Sequence, residues 1–264
     1  FSRYTVLSVL GTVGVSCYIL ADTFFVSKGL GTNGLAALNL AIPVYNFIHG
    51  TGLMLGMGGA TKFSIYKGQN NQKAVNRIYT NTIYLAILFS VLFMLPGLFC
   101  SERLALLLGA DMAILEMTDT YLRWLLLFSP AFILNDVFLC FVRNDENPQL
   151  AMTAMLTGSF ANIILDYVFI FPMRMGIFGA IFATGLSPVI SIAMMAPHWG
   201  KKKNSFHFVK TGIDKESVQC NISLGFPSLV AQVSSGIVMI IFNAIILKLK
   251  GNTGVAAYGI IANI

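Results

Sequence analysis

Seven long apolar runs, separated by short polar segments, organise the chain, and an eighth run begins where the sequence ends. Each run approaches the roughly 20 residues with which an α-helix crosses the hydrocarbon core of a membrane. A segment exposed to lipid must satisfy its own backbone hydrogen bonds, so the runs predict helices. The predicted spans cover about 4–26, a second starting near 35, 78–99, 121–142, 150–171, 177–199 and 221–247, with the eighth starting at 254.

Three further segments have patterns of their own. The glycine-rich Ser27–Gly34 predicts a tight turn between the first two spans. The amphipathic Ser101–Thr120 predicts a short helix on the outer membrane face. In the second span, the glycines at 56, 58 and 59 predict a helix–helix contact or a bend rather than a phosphate-binding loop.

Loop charges predict the orientation of the helices, because basic residues concentrate in cytoplasmic loops. The loops after the second, fourth and sixth spans hold nine basic residues, and the loops on the opposite side hold five. We therefore expect the first set, and the start of the chain, on the cytoplasmic side. The nine residues are Lys67, Lys73, Arg77, Arg143, Lys201, Lys202, Lys203, Lys210 and Lys215.

An internal repeat links the two ends of the chain. Gly31–Ala37 and Gly251–Ala257 share the pattern G-x-x-G-[LV]-A-A, and each copy opens a new helix after a predicted outer turn. The copies are separated by six spans, so they share one orientation. This is the parallel-repeat arrangement of transporters built from two six-helix halves. It predicts about twelve spans in a full-length protein, with most of the second half missing from a chain that also looks clipped at its front.

The composition fits a membrane protein rather than a soluble one. Hydrophobic residues make up 56% of the chain, only 11% are charged, and the mean hydropathy is +0.76. A soluble domain carries about 25% charged residues. The net charge of +6 lies in short loops, which argues against nucleic-acid binding. The four cysteines are far apart and predict neither disulfides nor a zinc site.

Three aspartates lie inside predicted spans, where a charge costs about 2.5–3.5 kcal/mol to insert. Asp22 is in the outer third of the first span, and it is either an interfacial residue or a carboxylate facing the bundle interior. Asp166, in the fifth span, either holds two helices together or lines a cavity at a similar depth. Asp136, in the fourth span, fits structural hydrogen bonding and cavity lining equally. Aligning the repeats places Phe242 opposite Asp22, so only the first half carries this charge.

Polar neighbours strengthen the case for an ion-coupling pocket. Asn162 lies four residues before Asp166, so the two share one helix face. Tyr167 adds a nearby hydroxyl, and Asn135 precedes Asp136. A desolvated carboxylate near another carboxylate binds a proton more readily, and the same oxygens suit sodium. The pattern leaves proton and sodium open, and His49 is expected to be a packed residue rather than a ligand.

Several stretches, taken in order, resemble the multidrug and toxic compound extrusion (MATE) family. The resemblance covers essentially the whole chain. It is carried by 22–26 with 29–31 and 35–38, by Pro43 with the glycine-rich 52–61 and 67–69, by 142–145 with Pro148, by 162–166, and by 176–180 with 183–184.

The resemblance implies an all-α polytopic membrane protein with a six-helix first lobe and the start of a second, parallel-repeat lobe. The expected divisions are 1–199 for the first lobe, 200–219 for a cytoplasmic linker and 220–264 for the start of the second lobe. It implies a monomeric exporter of the cell membrane that exchanges cationic or amphipathic molecules for protons or sodium, without a cofactor. Asp22, Asn162 and Asp166 match the family's ion site, and Asn135 or Asp136 matches it more weakly.

Two alternatives remain beside the exporter. A lipid-linked oligosaccharide flippase of related architecture should have a basic cavity, whereas the spans here carry acids. An intramembrane aspartyl enzyme should have its two aspartates in tight motifs on adjacent helices, and no GxGD motif occurs. HExxH, Walker A and GxSxG motifs do not occur either.

Overall fold

A computed structural model describes residues 2–200 and 204–262, with the backbone alone for 2–8, 10, 12, 15, 200 and 262. Lys201, Lys202 and Lys203, which belong to the predicted cytoplasmic set, therefore lie outside the described residues. The described chain is helical and contains no strand, which confirms the predicted all-α class. The helices are α1 (Ser2–Gly68), α2 (Gln72–Phe99), α3 (Ser101–Leu107), α4 (Leu115–Leu127), α5 (Ser129–Asn144), α6 (Pro148–Ile170), α7 (Gly176–Gly200) and α8 (Lys215–Ala262).

The membrane spans follow from helix length and apolar composition. Among the described residues, α2, α6, α7 and α8 are each long and apolar enough to cross a membrane, and the α4–α5 pair makes a fifth candidate if it counts as one span. The predicted fourth span is therefore not a single straight helix, because α4 and α5 meet at a bend of 47°. Pro130 lies in the first turn of α5, where a missing N–H is tolerated but an uninterrupted helix is not.

The sequence repeat is also a structural repeat. Within α1, Gly31 has φ 68° and ψ −161°, and within α8, Gly251 has φ 64° and ψ −159°. This region of backbone space is essentially restricted to glycine. The turn predicted over Ser27–Gly34 is thus a kink at one residue, with helix on both sides. Each kinked helix contains two of the predicted apolar runs.

Glycines let the second half of α1 pack closely along α8. A Cβ on Gly58 would overlap the backbone carbonyl of Asn221, and a Cβ on Gly225 would overlap that of Met54. Small residues allow two membrane helices to approach until their backbones touch. The predicted helix–helix contact of the 56–59 segment is confirmed, since Gly59 also packs against Thr82 of α2.

The predicted outer-face segment Ser101–Thr120 is not one helix. It contains α3, a turn around Gly109 and the start of α4. Asp119 in α4 accepts hydrogen bonds from Ser101 and from Arg123, whose Nη2 lies 3.0 Å away. These contacts fasten α3 against α4, so an acidic residue of this amphipathic segment holds the two helices together.

The segment between α7 and α8 is docked on α2 through side-chain to backbone hydrogen bonds. The backbone N–H groups of Val209 and Asp214 donate to Thr80 and Asn81, at 3.1 and 2.9 Å. Asp214 also accepts from the backbone N–H of Ser217 at 3.1 Å, in the manner of a helix N-cap. This cap starts α8 at Lys215, inside the 200–219 segment predicted as linker.

A polar cluster at the same end of the bundle is centred on Asp145, in the loop between α5 and α6. Asp145 Oδ1 lies 2.9 Å from Lys67 Nζ, and Asp145 Oδ2 lies 3.0 Å from His198 Nε2. Ser205 donates to this carboxylate through its backbone N–H and its hydroxyl. Burial raises the pKa of Asp145, but the hydrogen bonds from Lys67, Ser205 and His198 outweigh burial and hold the pKa below its ordinary value.

This cluster predicts a pH dependence of stability. Because the folded-state pKa of Asp145 is lowered, its contribution is complete above the unfolded-state pKa, near 3.8, and is lost as the pH falls through the folded value. We expect Asp145→Asn to lower stability at about pH 7, and the difference from the wild type to shrink as the pH falls below about 4. Thermal unfolding of both proteins across this pH range measures this. A difference independent of pH would contradict it.

Candidate functional site

The three aspartates predicted inside spans are all buried in the protein. Asp22 is 9% exposed, Asp136 is 6% exposed and Asp166 is 0% exposed. They lie on α1, α5 and α6, respectively. None of them therefore points outward to lipid, and burial favours the bundle-interior alternative for Asp22. Acidic groups kept inside a membrane bundle mark functional sites by default.

Asn162 joins Asp166 to helix α7. In the amide orientation that satisfies both ends of its side chain, Asn162 donates to Asp166 Oδ2 at 3.0 Å and accepts from the backbone N–H of Thr184 at 3.3 Å. Asn162 and Asp166 are both fully buried. They are one helical turn apart on the same face of α6, as their spacing predicts. The amide thus fixes the position of the carboxylate.

Two neighbouring cavities, each of about 240 Å³, surround these residues. Asn135, Asp136 and Asn162 line the first, and Asp22 lines the second. Tyr18, Tyr45 and Thr184 line both. Asp166 lines neither cavity and is linked to the first one through Asn162. The predicted arrangement, in which Asp22 and Asp166 line one cavity, is therefore replaced by two adjoining cavities.

Asp22 and Asp166 nevertheless interact with each other. Asp22 and Tyr121 of α4 line the second cavity beside Thr184, and Asn162 bonds both Asp166 and the Thr184 backbone, so the two carboxyls share one polar network and their charges interact through it. Oδ1 of each aspartate is buried without a hydrogen-bond partner in the described part of the chain. Two ionised carboxylates in a low-dielectric interior repel each other strongly. A proton or a metal cation bound to either acid would relieve this repulsion.

His49 is packed between helices, as predicted, and in addition forms a hydrogen bond with Asp136 that the sequence did not indicate. Its Nδ1 lies 2.9 Å from Asp136 Oδ2, across the contact between α1 and α5. The Tyr45 ring stacks on the imidazole, with centroids 5.7 Å apart and 8° between the planes. Asn135, beside this pair, has its Oδ1 buried without a partner among the described residues.

Tyr167 lies outside both cavities, which corrects its predicted role. Tyr167 is 53% exposed. The centroid of its ring lies 6.1 Å from that of Phe25 and 5.6 Å from that of Phe171. One step along a helix turns the side chain by about 100°. The residue after a buried Asp166 is therefore directed away from the pocket.

Sequence reasoning missed most of the other residues that line the cavities, and four of them, Tyr18, Tyr45, Tyr121 and Thr184, line the second cavity together with Asp22. Tyr18 could have been found, since it precedes Asp22 by four residues and shares its helix face. Tyr45, Tyr121 and Thr184 gave no local signal, because helix packing alone brings them to the aspartates. Among the described residues, no three His, Cys, Asp or Glu side chains converge as a metal site.

Comparison with curated proteins gives a consistent set of relatives. The MatE family model matches residues 8–168, which is more than half of the chain. The multidrug export protein MepA of Staphylococcus saprophyticus is 26% identical over 262 residues, covering 98% of this chain and 57% of MepA. MepA of Staphylococcus aureus strain MRSA252 is 26% identical over 260 residues, with the same coverage. The chain spans little more than half the length of these relatives.

Solved structures show the same fold. One is described as the inward-facing conformation of a multidrug resistance MATE family transporter of the MOP superfamily, with 28% identity and a TM-score of 0.85. The match covers 92% of this chain and 56% of that one. A structure of the MATE multidrug transporter DinF-BH has 25% identity and a TM-score of 0.90, over 98% of this chain and 59% of that one. These proteins are transporters, so the enzyme alternative is wrong.

Proposed function

Since this chain belongs to the MatE family of multi-pass membrane transporters, we propose that it is the first part of a secondary-active exporter. It exchanges cationic or amphipathic small molecules for protons or sodium across the cell membrane. The similarity to multidrug export proteins supports this direction of transport.

The paired burial of Asp22 and Asp166 carries the proposal. Each acid has an oxygen without a partner in the described chain, and each interacts with the other. A structural ion pair would instead place a basic side chain against the acid. Carboxylates that lack such a partner are suited to bind an exchangeable cation.

Exchange follows from the linkage between charge and helix packing. When a proton or sodium ion neutralises the acids, the helices that carry them, α1 and α6, can pack more closely. A bound organic cation favours the opposite, more open packing. Each ligand shifts the equilibrium only by its differential affinity for the two packings. Rocking of the two lobes then exposes the pocket to alternate sides of the membrane.

The cavity linings suit an organic cation. Tyr18, Tyr45 and Tyr121 surround the second cavity together with Asp22 and Met239. Aromatic faces attract cations through their quadrupoles, and methionine side chains adapt to ligands of different shape. The combination of one acid with several aromatic rings favours positively charged, partly apolar compounds over sugars.

The flippase alternative requires a different lining. A pyrophosphate group would need lysine or arginine in the cavity, and neither residue lines the two cavities described. Arg123, the basic residue near a span end, is held by Asp119 instead. The charge of the cavities therefore favours an exporter of cations.

An efflux assay with the full-length protein in proteoliposomes tests the exchange. We expect an imposed proton or sodium gradient to drive ethidium out of the compartment in which it was loaded, and dissipation of that gradient to stop transport. Running the two gradients separately identifies the coupling ion. Ethidium movement that is indifferent to both gradients would refute ion coupling.

A further inference from the structure

The pair formed by His49 and Asp136 is a second charged site, distinct from Asp22 and Asp166. The imidazole and the carboxylate meet across two helices at 2.9 Å, and both residues line the first cavity, whereas Asp22 lines the second. The side chain of Asp136 is only 8% exposed, while that of His49 is 29% exposed. The carboxylate is therefore fixed, and the imidazole is open to the cavity.

The backbone around the pair is shaped to hold the carboxylate. A Cβ on Gly52 would collide with the Asp136 side chain, so glycine at this position gives the acid its space against α1. One helical turn further along α1, a Cβ on Gly56 would crowd Cys140 and the backbone carbonyl of Asp136. These glycines set the distance between α1 and α5 at which His49 reaches the acid.

The protonation state of His49 sets the charge of the pair. With neutral imidazole, Nδ1–H donates to the ionised carboxylate and the pair carries one negative charge. A second proton, on Nε2, brings the net charge to zero. The titratable or charged groups around the pair are Tyr18 and Tyr45 from α1, Tyr121 from α4, and Cys140 and Arg143 from α5. The acids Asp22 of α1 and Asp166 of α6 lie beyond Tyr18 and Asn162, respectively. The other polar groups from α6, α7 and α8 are the uncharged Ser159, Asn162, Ser187, Ser191 and Gln232.

The rest of the cavity wall is aromatic on one side and polar on the other. Tyr45 stacks on His49, and Phe132 packs edge-on against Tyr45 with ring centroids 5.5 Å apart. Asn135, which also lines this cavity, has a buried Oδ1 without a partner among the described residues. An acid flanked by aromatic rings and amide oxygen is the chemistry that recognises a substituted ammonium group.

We propose that His49 and Asp136 form a proton-controlled binding site for a small organic ammonium ion in the first cavity. The ammonium binds when His49 is neutral and leaves when His49 takes up a proton, because the added positive charge cancels that of Asp136. This inference rests on the proposed exchange function, to which it adds a second site where proton and substrate compete.

Binding of radiolabelled tetraethylammonium to the purified full-length protein tests the site. The charge of this probe does not change with pH. We expect the wild type to bind it about tenfold more weakly at about pH 5.5 than at about pH 8, within the usual range of coupling between ligands. His49→Asn, which keeps an N–H donor for Asp136 but cannot gain a proton, should bind with less than about a twofold difference. Asp136→Asn should bind weakly at both pH values.

Two comparisons make the result specific. If His49→Asn keeps the pH dependence of the wild type, the site is not at His49 and the inference is overturned. If Asp22→Asn removes the pH dependence while His49→Asn does not, the competition belongs to the other acids and the inference is likewise overturned.

Ethidium efflux, measured in parallel, separates this inference from the proposed function. Efflux that is ion-driven, together with pH-independent tetraethylammonium binding, overturns the inference and leaves the proposed function standing. Thermal unfolding of each variant identifies any that fail to fold, and His49→Asn decides the question if Asp136→Asn is one of them.

Discussion

Full-length protein in which Asp22 and Asp166 are both replaced by Asn should lose ion-driven efflux, by roughly 100-fold. Asparagine keeps the size and hydrogen-bonding capacity of the acid but carries no charge to exchange. The pocket would then stay permanently in the state that the bound ion normally favours. Ethidium efflux from proteoliposomes under the coupling gradient measures the loss, and each single variant should retain part of the activity.

Tyr167→Phe is the matched control for the aspartate variants. It removes a hydroxyl next to Asp166 in sequence, but that side chain is exposed and packs against Phe25 and Phe171. We expect efflux close to that of the wild type. Full transport by the double aspartate variant would refute the assignment of the acids, and a large loss in Tyr167→Phe would show that the outer face of α6 takes part.

Gly225→Ala should destabilise the protein by about 3 kcal/mol, the upper part of the range for overpacking. The new methyl group would overlap the backbone carbonyl of Met54, and a backbone cannot move aside as a side chain can. Helices α1 and α8 must then separate along the whole interface. The midpoint of thermal unfolding in detergent measures the effect.

Gly236→Ala, on the same helix and facing the same partner, is the control. Its added Cβ would lie 3.4 Å from the carbonyl oxygen of Pro43, an ordinary contact. The helix propensity of alanine exceeds that of glycine by up to about 1 kcal/mol, so this variant should be as stable as the wild type or slightly more stable. Equal losses in both variants would show that the close contact at Gly225 does not limit stability.

The pattern of apolar residues is sufficient to predict the helices, but it does not predict where the helices break or which residues they contact. Apolar runs of span length predict helices because backbone hydrogen bonding in lipid permits little else. Pro130 is visible as a proline inside an apolar run, but the position of the bend depends on how α4 and α5 pack. The docking of 204–214 on α2 involves side chains at Thr80 and Asn81 that have no local signature, since their partners lie more than a hundred residues away.

Some residues of the candidate site could likewise be predicted from sequence, and others could not. Asp22, Asp136 and Asp166 stand out because acids are rare in apolar runs, and Asn162 follows from helical spacing. The hydrogen bond of His49 could not be predicted from sequence, because its partner Asp136 lies 87 residues further along the chain and a histidine in an apolar helix carries no sign of that partner. Tyr167 was predicted to line the site because it follows Asp166 in sequence. This prediction was wrong, since adjacent residues on a helix point in different directions.

The matching kinks at Gly31 and Gly251 have a consequence for how such a chain could arise. Applying their separation of 220 residues to Asn39 gives Gly259 as its counterpart, and the two touch, with the glycine leaving space for the amide. In a symmetric dimer of two identical halves, a residue at this crossing would meet its own copy, and two asparagines would collide there. Fusing the halves into one polypeptide allows the two positions to differ, so a side chain from one half can occupy the gap left by the other.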